Sequence, residues 1–285
     1  MCEKGLKMFL LRFFVVSRLT KKDVYYIERN ALCLFFYCMR RLFGFDKIRL
    51  RVRKQRKKTI MSMEEKLDAE LRVAPQDHAK WVQLGQAYFD TDFRKALACF
   101  SRALALEPFN AQDRLNRGRK SLSMDAFEEA LADFSLAVRL DPQDGFKWHY
   151  LGNACFFLER FDAAIACYME AMKCHRKNGV GLEPPAIDWI WMSYMRTGKP
   201  DEAQVFVREH TNPDIPVEDS DLSYKKRILL YAGYTPVETY IKEVVNYDDE
   251  LDAITELYGV VNYYKYIQPD ACRAARYVAD ILKYP

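Results

Sequence analysis

A segment that recurs three times, every 33 to 34 residues, constrains this 285-residue chain more than any other feature. Each copy places tryptophan or another large residue, glycine, alanine and an aromatic residue in matching columns. The columns are occupied by Trp81, Leu84, Gly85, Tyr88, Ala96, Phe100, Ala103 and Pro108 in the first copy, by Gly118, Ala130, Phe134, Ala137 and Pro142 in the second, and by Trp148, Leu151, Gly152, Ala164, Tyr168 and Ala171 in the third. Self-similarity at this period predicts a repeat protein whose units stack on their neighbours.

The spacing within a copy indicates two helices and a stop. Trp81, Leu84 and Tyr88 lie at i, i+3 and i+7, which is one face of a helix, and a second apolar face follows at helical spacing. The glycine and alanine columns predict two helix backbones that approach closely. The proline that ends the first two copies stops the second helix, because it has no N–H and clashes with the preceding turn. An all-α protein of helix–turn–helix units follows.

These columns resemble the tetratricopeptide repeat (TPR), whose pattern opens Trp-x-x-Leu-Gly-x-x-Tyr and continues with alanine, an aromatic residue, alanine and proline. The resemblance covers residues 78–178, as repeats 78–110, 111–144 and 145–178. It implies a solenoid that winds as a right-handed superhelix. Three departures stand out: the inter-helix turn of repeat 1 is one residue short, Arg114 and Arg117 replace tryptophan and leucine in repeat 2, and Arg176 replaces the last proline.

Residues on both sides of the three repeats are predicted to be helical as well. Residues 61–77 open with a Ser62-x-x-Glu65 capping box and predict a capping helix, and residues 179–285 predict degenerate TPR-like hairpins. The segment from Trp189 to His210 resembles NlpI-type bacterial TPR adaptors, which are lipid-anchored periplasmic proteins that bring partners together. Because no polar capping helix follows the last predicted repeat, we expect that end either to be covered by another copy of the chain, which would be self-association, or to pair with a different partner.

The N-terminal sixty residues have a different composition. They hold 17 lysines and arginines against 4 acidic residues, a net charge of +13, whereas the remaining residues have a net charge of −9. Two apolar stretches in residues 1–60 are about half the length that spans a bilayer. The basic run from Arg49 to Lys58 could bind anionic lipid or nucleic acid. Three interpretations stay open: an upstream extension from a misassigned start, membrane association, and nucleic-acid binding.

The sequence does not predict an enzyme or a cofactor. It contains neither a phosphate-binding glycine loop nor a nucleophile or metalloprotease motif. Cys167 and Cys174 lie two helical turns apart, about 10.5 Å along the axis, which is too far to bind one metal ion with His175. The repeat cysteines replace apolar residues and are predicted to be buried, reduced thiols. These favour a cytoplasmic protein over the membrane-associated or periplasmic alternative.

The resemblance implies a binding groove lined by the first helix of each repeat. The family positions that face this groove are occupied here by Val82, Gln86, Phe89, Asp90, Leu115, Arg119, Leu122, Phe146, His149, Asn153, Phe156 and Phe157. Such a surface suits an amphipathic peptide or partner helix, and we expect a non-catalytic scaffold or adaptor that binds a protein partner. Some of these side chains, Phe89 and Phe156 above all, could instead pack against neighbouring helices.

TPR domains that bind chaperone C-termini hold the terminal carboxylate with five polar side chains. The matching positions here are Val82, Gln86, Asn116, Phe146 and Tyr150, of which Asn116 alone fits. The sequence therefore disfavours a co-chaperone of the Hsp70 and Hsp90 kind.

Overall fold

A computed structural model describes residues 69, 71, 74–178, 183–214, 217, 221–244 and 250–283. Within these ranges the chain forms helices joined by turns and loops. The α-helices are α1 (His78–Ala87), α2 (Phe93–Leu106), α3 (Ala111–Leu122), α4 (Phe127–Leu140), α5 (Gly145–Phe157), α6 (Phe161–Asn178), α7 (Glu183–Arg196), α8 (Pro200–His210), α9 (Leu222–Ala232), α10 (Val237–Val244), α11 (Glu250–Asn262) and α12 (Ala271–Ile281), with one π-helical turn at Tyr263–Ile267. The predicted all-α solenoid is confirmed.

The helices pair as antiparallel hairpins that stack in chain order. α1 packs on α2, α3 on α4, α5 on α6 and α7 on α8, and each second helix also packs on the first helix of the next pair. Asp125 and Glu159 adopt positive φ angles of 61° and 62° in the turns after α3 and α5, and Gly198 takes 74° after α7. The shorter turn of repeat 1 has no such residue in its described backbone, and Asp92 caps α2 directly by accepting from Lys95 N at 3.1 Å.

A glycine on each first helix lies against an aromatic ring of the paired second helix. A Cβ atom on Gly85 would lie 2.8 Å from Phe100 Cε1, one on Gly118 would lie 2.5 Å from Phe134 Cε1, and one on Gly152 would lie 2.6 Å from Tyr168 Cε1. All three rings are fully buried. The glycine column therefore makes room for a ring rather than for direct contact of two helix backbones.

Each repeat is also joined to the end of the preceding helical segment by a side-chain hydrogen bond. Trp81 Nε1 donates to the carbonyl oxygen of Pro75, and Trp148 Nε1 donates to that of Pro142, both at 2.9 Å. In repeat 2, Arg114 Nη2 donates to the Pro108 carbonyl at the same distance. Arginine thus performs the hydrogen-bonding role of the tryptophan that it replaces.

The two arginines of repeat 2 share one buried carboxylate. Arg117 donates to both oxygens of Asp133 at 2.7 Å, and Arg114 Nη1 donates to Asp133 Oδ1 at 3.1 Å. Bidentate pairing with Asp133 raises the pKa of Arg117, against the opposing effect of burial. An ion-pair network in repeat 2 therefore takes the place of the apolar contact that tryptophan and leucine make elsewhere.

The predicted segments on either side of the three repeats are described in part. Leu71 is helical and buried, and it packs with Leu84 and Cys99 beneath Trp81. This is the position expected of a capping helix, but the Ser62–Glu65 motif and residues 1–60 lie outside the described residues. In the degenerate half, α7 and α8 form the expected hairpin, and Trp189 of α7 contacts the rings of Phe156 and Tyr168 in repeat 3.

The last helix buries little of its apolar surface. α12 packs on α11, yet it contains no buried side chain, and Tyr277, Val278 and Ile281 are half-exposed. The expected self-association through this end stays a prediction.

We predict that Gly118→Ala destabilises the protein by about 1–3 kcal/mol, because the new methyl group collides with the buried Phe134 ring. On an open helix surface the same change would stabilise by about 0.5–1 kcal/mol. Urea unfolding followed by circular dichroism measures the free energy of unfolding.

The matched control removes the ring. In a Phe134→Leu background, Gly118→Ala is expected to destabilise much less, because the atom it would meet is gone. An equal loss of stability in both backgrounds would contradict the glycine–ring explanation.

Candidate peptide-binding groove

Polar caps fix where the first helices α1, α3 and α5 begin. Asp77 accepts a hydrogen bond from Lys80 N, Asp144 accepts one from Phe146 N, and Asn110 accepts from both Gln112 N and Asp113 N. Each cap lies directly before the first residue of its repeat, so the three helices begin at the same repeat position. Residues at equivalent positions of α1, α3 and α5 are therefore presented in equivalent orientations.

Five of the predicted groove residues are buried in the protein. The Phe89 ring meets Phe100 edge-on with centroids 6.1 Å apart, the Phe156 ring meets Trp189 at 4.9 Å, and Asn153 Oδ1 accepts from Tyr168 Oη at 2.7 Å. Leu115 and Leu122 are likewise buried. Since neighbouring helices already cover these side chains, they support the groove from beneath and are not part of its accessible surface.

The other seven predicted residues reach the surface. Gln86, Asp90 and Phe146 are exposed, and the value for Phe146 is 44%, which is high for a phenylalanine. Val82, Arg119, His149 and Phe157 are half-buried, and Phe157 stacks on Phe127 at 5.2 Å. The accessible part of the groove is smaller than the sequence predicts, but it contains both apolar and polar groups.

Arg119 lies between aromatic residues of the flanking repeats. Its guanidinium carbon is 4.6 Å from the centre of the Phe89 ring in repeat 1 and 5.1 Å from that of Tyr150 in repeat 3. Both distances are within the range of cation–π attraction. Arg119 thus bridges all three repeats at the middle of the groove.

Lys120, next to Arg119, is a structural residue that the sequence did not identify. Its ammonium group is buried, donates to the Phe89 carbonyl at 2.7 Å and lies 3.2 Å from the centre of the Phe89 ring. Burial lowers its pKa to about 8, although the charge of Asp90 opposes this shift. Lys120 ties the end of α1 to α3, and lysine's usual preference for the surface gave no signal of this role.

The groove face of α7 is covered by α9. Asp188 and Met192 occupy the α7 positions that match His149 and Asn153 of α5, and Arg227 of α9 reaches both, at 3.1 Å from Asp188 Oδ2 and 3.3 Å from Met192 Sδ. Asp188 is completely buried, and its burial raises its pKa to about 6 against the opposing charge of Arg227. The accessible groove therefore ends at repeat 3, an outcome that the fading repeat pattern did not predict.

Among the described residues there is neither a metal site nor the set of polar side chains with which chaperone-binding TPR domains hold a terminal carboxylate. No group of three or more His, Cys, Asp and Glu side chains with metal-site geometry occurs among them. Asn116, which fits the chaperone-binding pattern in sequence, is buried and accepts a hydrogen bond from Gln112 Nε2 at 3.3 Å. In the part of the chain that the structure describes, no helix has the length and apolar character needed to cross a membrane.

Residues 148–173, which span most of α5 and most of α6, match a family model described as tetratricopeptide repeat. Among solved structures, MamA (residues 41 to the end, Desulfovibrio magneticus RS-1) is 18% identical with a TM-score of 0.49, over 57% of this chain and 87% of MamA. YrrB, a TPR protein with an unusual peptide-binding site, is 19% identical with a TM-score of 0.48, over 74% and 96%. Pseudomonas aeruginosa PilF is 16% identical with a TM-score of 0.46, over 72% and 90%. No curated protein sequence matches the chain.

We predict that acid destabilises the groove through His149. Burial, and to a smaller extent the charge of His175, lower the pKa of His149 from 6.5 to about 4. The unfolded chain therefore binds a proton more readily than the folded protein, so stability is lost as the pH falls from about 6.5 towards 4. Thermal unfolding between about pH 7.5 and about pH 4.5 measures this loss.

His149→Phe keeps an aromatic ring beside Tyr150 and Tyr168 but cannot be protonated. Its melting temperature should fall less with acid than that of the wild type. Part of the loss should remain, because burial also lowers the pKa of His175. Identical losses in the two proteins would show that His149 is not responsible.

Proposed function

We propose that this tetratricopeptide-repeat protein is a non-catalytic scaffold that binds a segment of a partner protein along α1, α3 and α5. The observation that carries the proposal is the exposed Phe146 ring at the start of α5. Tyr150 and Phe157 lie four and eleven residues after it, which places all three rings on one side of the helix, and both are half-buried. Exposed aromatic side chains on rigid elements are typical of protein interfaces.

The polar groups around these rings indicate an amphipathic ligand. Gln86 and Asp90 are exposed on the α1 side and Arg119 is half-buried on α3, so a few polar atoms accompany a mainly aromatic surface. An extended peptide or one face of a helix can satisfy both kinds of contact at once. A highly charged partner would find few matching charges here.

Two further parts of the proposal concern location and assembly. Cys99, Cys155, Cys167 and Cys174 are buried free thiols, which supports a reducing compartment such as the cytoplasm. The half-exposed apolar side chains of α12 support self-association through that helix.

The proposal is tested by selecting a phage-displayed library of random peptides of about 12 residues on the full-length protein. Synthetic copies of the selected peptides should bind Phe146→Ala at least about tenfold more weakly in fluorescence anisotropy, because an anchoring ring is lost. Phe109→Ala is the matched control, since Phe109 is 76% exposed but lies in the loop between α2 and α3, outside the groove. It should bind like the wild type.

Failure to select any peptide would count against the groove as a binding site. Equal affinity of Phe146→Ala and wild type for every selected peptide would do so too.

A second candidate function rests on the basic run Arg49–Lys58, which lies outside the described residues. Seven of its ten residues are lysine or arginine, which favours association with anionic lipid headgroups or with nucleic acid.

Full-length protein and a variant with these seven residues changed to glutamine can be compared for binding to phosphatidylserine vesicles and to duplex DNA. The proposal predicts that the wild type binds one of them, that added salt weakens the binding, and that the variant loses it. Wild-type protein that binds neither, even at low salt, would remove this candidate.

A further inference from the structure

The guanidinium of Arg119 has no polar partner in the described part of the chain. It forms no ion pair and donates no hydrogen bond there, although it is half-buried and lies within cation–π distance of both Phe89 and Tyr150. Several other arginines of the repeats and the hairpins after them are paired: Arg114 and Arg117 with Asp133, Arg160 with Glu128, Arg176 with Glu183, and Arg227 with Asp188. Arg119 therefore lacks an ion-pair partner among the described residues, at the centre of the groove.

The surrounding rings orient this group for a ligand. A guanidinium is planar and carries five N–H donors, and in Arg119 none of these donors is used in a hydrogen bond or ion pair among the described residues, so they are available to a ligand. Phe89 and Tyr150 also reduce the number of positions that the side chain can take, which lowers the entropy lost on binding. A carboxylate can accept two parallel hydrogen bonds from a guanidinium.

We propose that the groove binds a partner segment that presents a carboxylate to Arg119, with apolar side chains of the segment lying against Phe146 and Phe157. This inference rests on the proposed function and specifies its ligand. The carboxylate belongs either to an aspartate or glutamate side chain or to the C-terminus of the partner. Arg119 lies outside the five positions at which chaperone-binding TPR domains hold a terminal carboxylate, so the proposed contact is a different one.

The charges around Arg119 favour a single carboxylate over a phosphate group. The adjacent Lys120 ammonium is buried and donates to the Phe89 carbonyl, so it adds no donor to the groove surface. Asp90 is exposed and close enough to Lys120 for its charge to act on that ammonium group, so a second negative charge on the ligand would be repelled here. One guanidinium balances one negative charge, whereas phosphate sites usually gather several cations or helix N-termini.

The test uses peptides of about 12 residues selected on the full-length wild-type protein, in three synthetic forms. One form is unchanged, a second has aspartate and glutamate replaced by asparagine and glutamine, and a third has an amidated C-terminus. Removing the charge that Arg119 binds should weaken wild-type binding by about 10- to 100-fold. The second and third forms show whether that charge is on a side chain or at the terminus.

Arg119→Gln should bind all three forms with the low affinity of the uncharged peptide, and Arg119→Lys should recover part of the loss, since it keeps the charge without the paired donors. Added salt should weaken binding to the wild type more than binding to Arg119→Gln. Circular dichroism checks that both variants are folded.

The inference is overturned if neither charge removal weakens binding, or if both weaken it equally in wild type and Arg119→Gln. If peptides bind the wild type, bind Phe146→Ala more weakly and bind Arg119→Gln as well as the wild type, the proposed function is supported and the carboxylate contact is excluded. If no peptide is selected, both proposals fail together.

Discussion

The contact between a glycine on one helix and an aromatic ring on the next determines the geometry of each repeat. Phe100, Phe134 and Tyr168 are completely buried, and each occupies the space that a side chain at Gly85, Gly118 or Gly152 would need. Because this contact brings the two helices of a hairpin together, it also determines which residues of the first helix remain outside. The position of the groove thus follows from a packing constraint on its opposite side.

Much of the fold could be predicted because the same pattern of glycine, alanine and aromatic residues occurs three times in the sequence. A single Gly85 would indicate little, but glycine recurring at 85, 118 and 152, followed eleven or twelve residues later by alanine, predicts a hairpin. The sequence shows that arginines replace tryptophan and leucine in repeat 2, but it does not show that the carboxylate of Asp133 pairs with both arginines. Asp133 is nineteen residues from Arg114, and the hairpin alone places its carboxylate beside both arginines.

The groove was harder to predict, because exposure depends on neighbours that the pattern does not specify. Phe89 and Phe146 both occupy positions that face the groove in the family, yet one is buried against Phe100 and the other is exposed. Lys120 is the opposite case, because lysine is normally exposed to solvent but this side chain is buried. Its burial depends on a backbone carbonyl, that of Phe89, which no side-chain pattern reports.

On the proposed function, the ion pair between Arg227 of α9 and Asp188 of α7 limits the length of a segment that can lie along the groove. With α7 covered, three first helices remain, and helices in contact lie about 8–10 Å apart. Three such spacings separate α1 from α7, about 24–30 Å, and an extended chain advances about 3.3 Å per residue, so roughly seven to nine residues would cross the open stretch before meeting α9. The length of this open surface therefore limits how many residues of a ligand can contact it. A short linear motif can bind over its full length, whereas a longer segment must turn away from the surface at repeat 3.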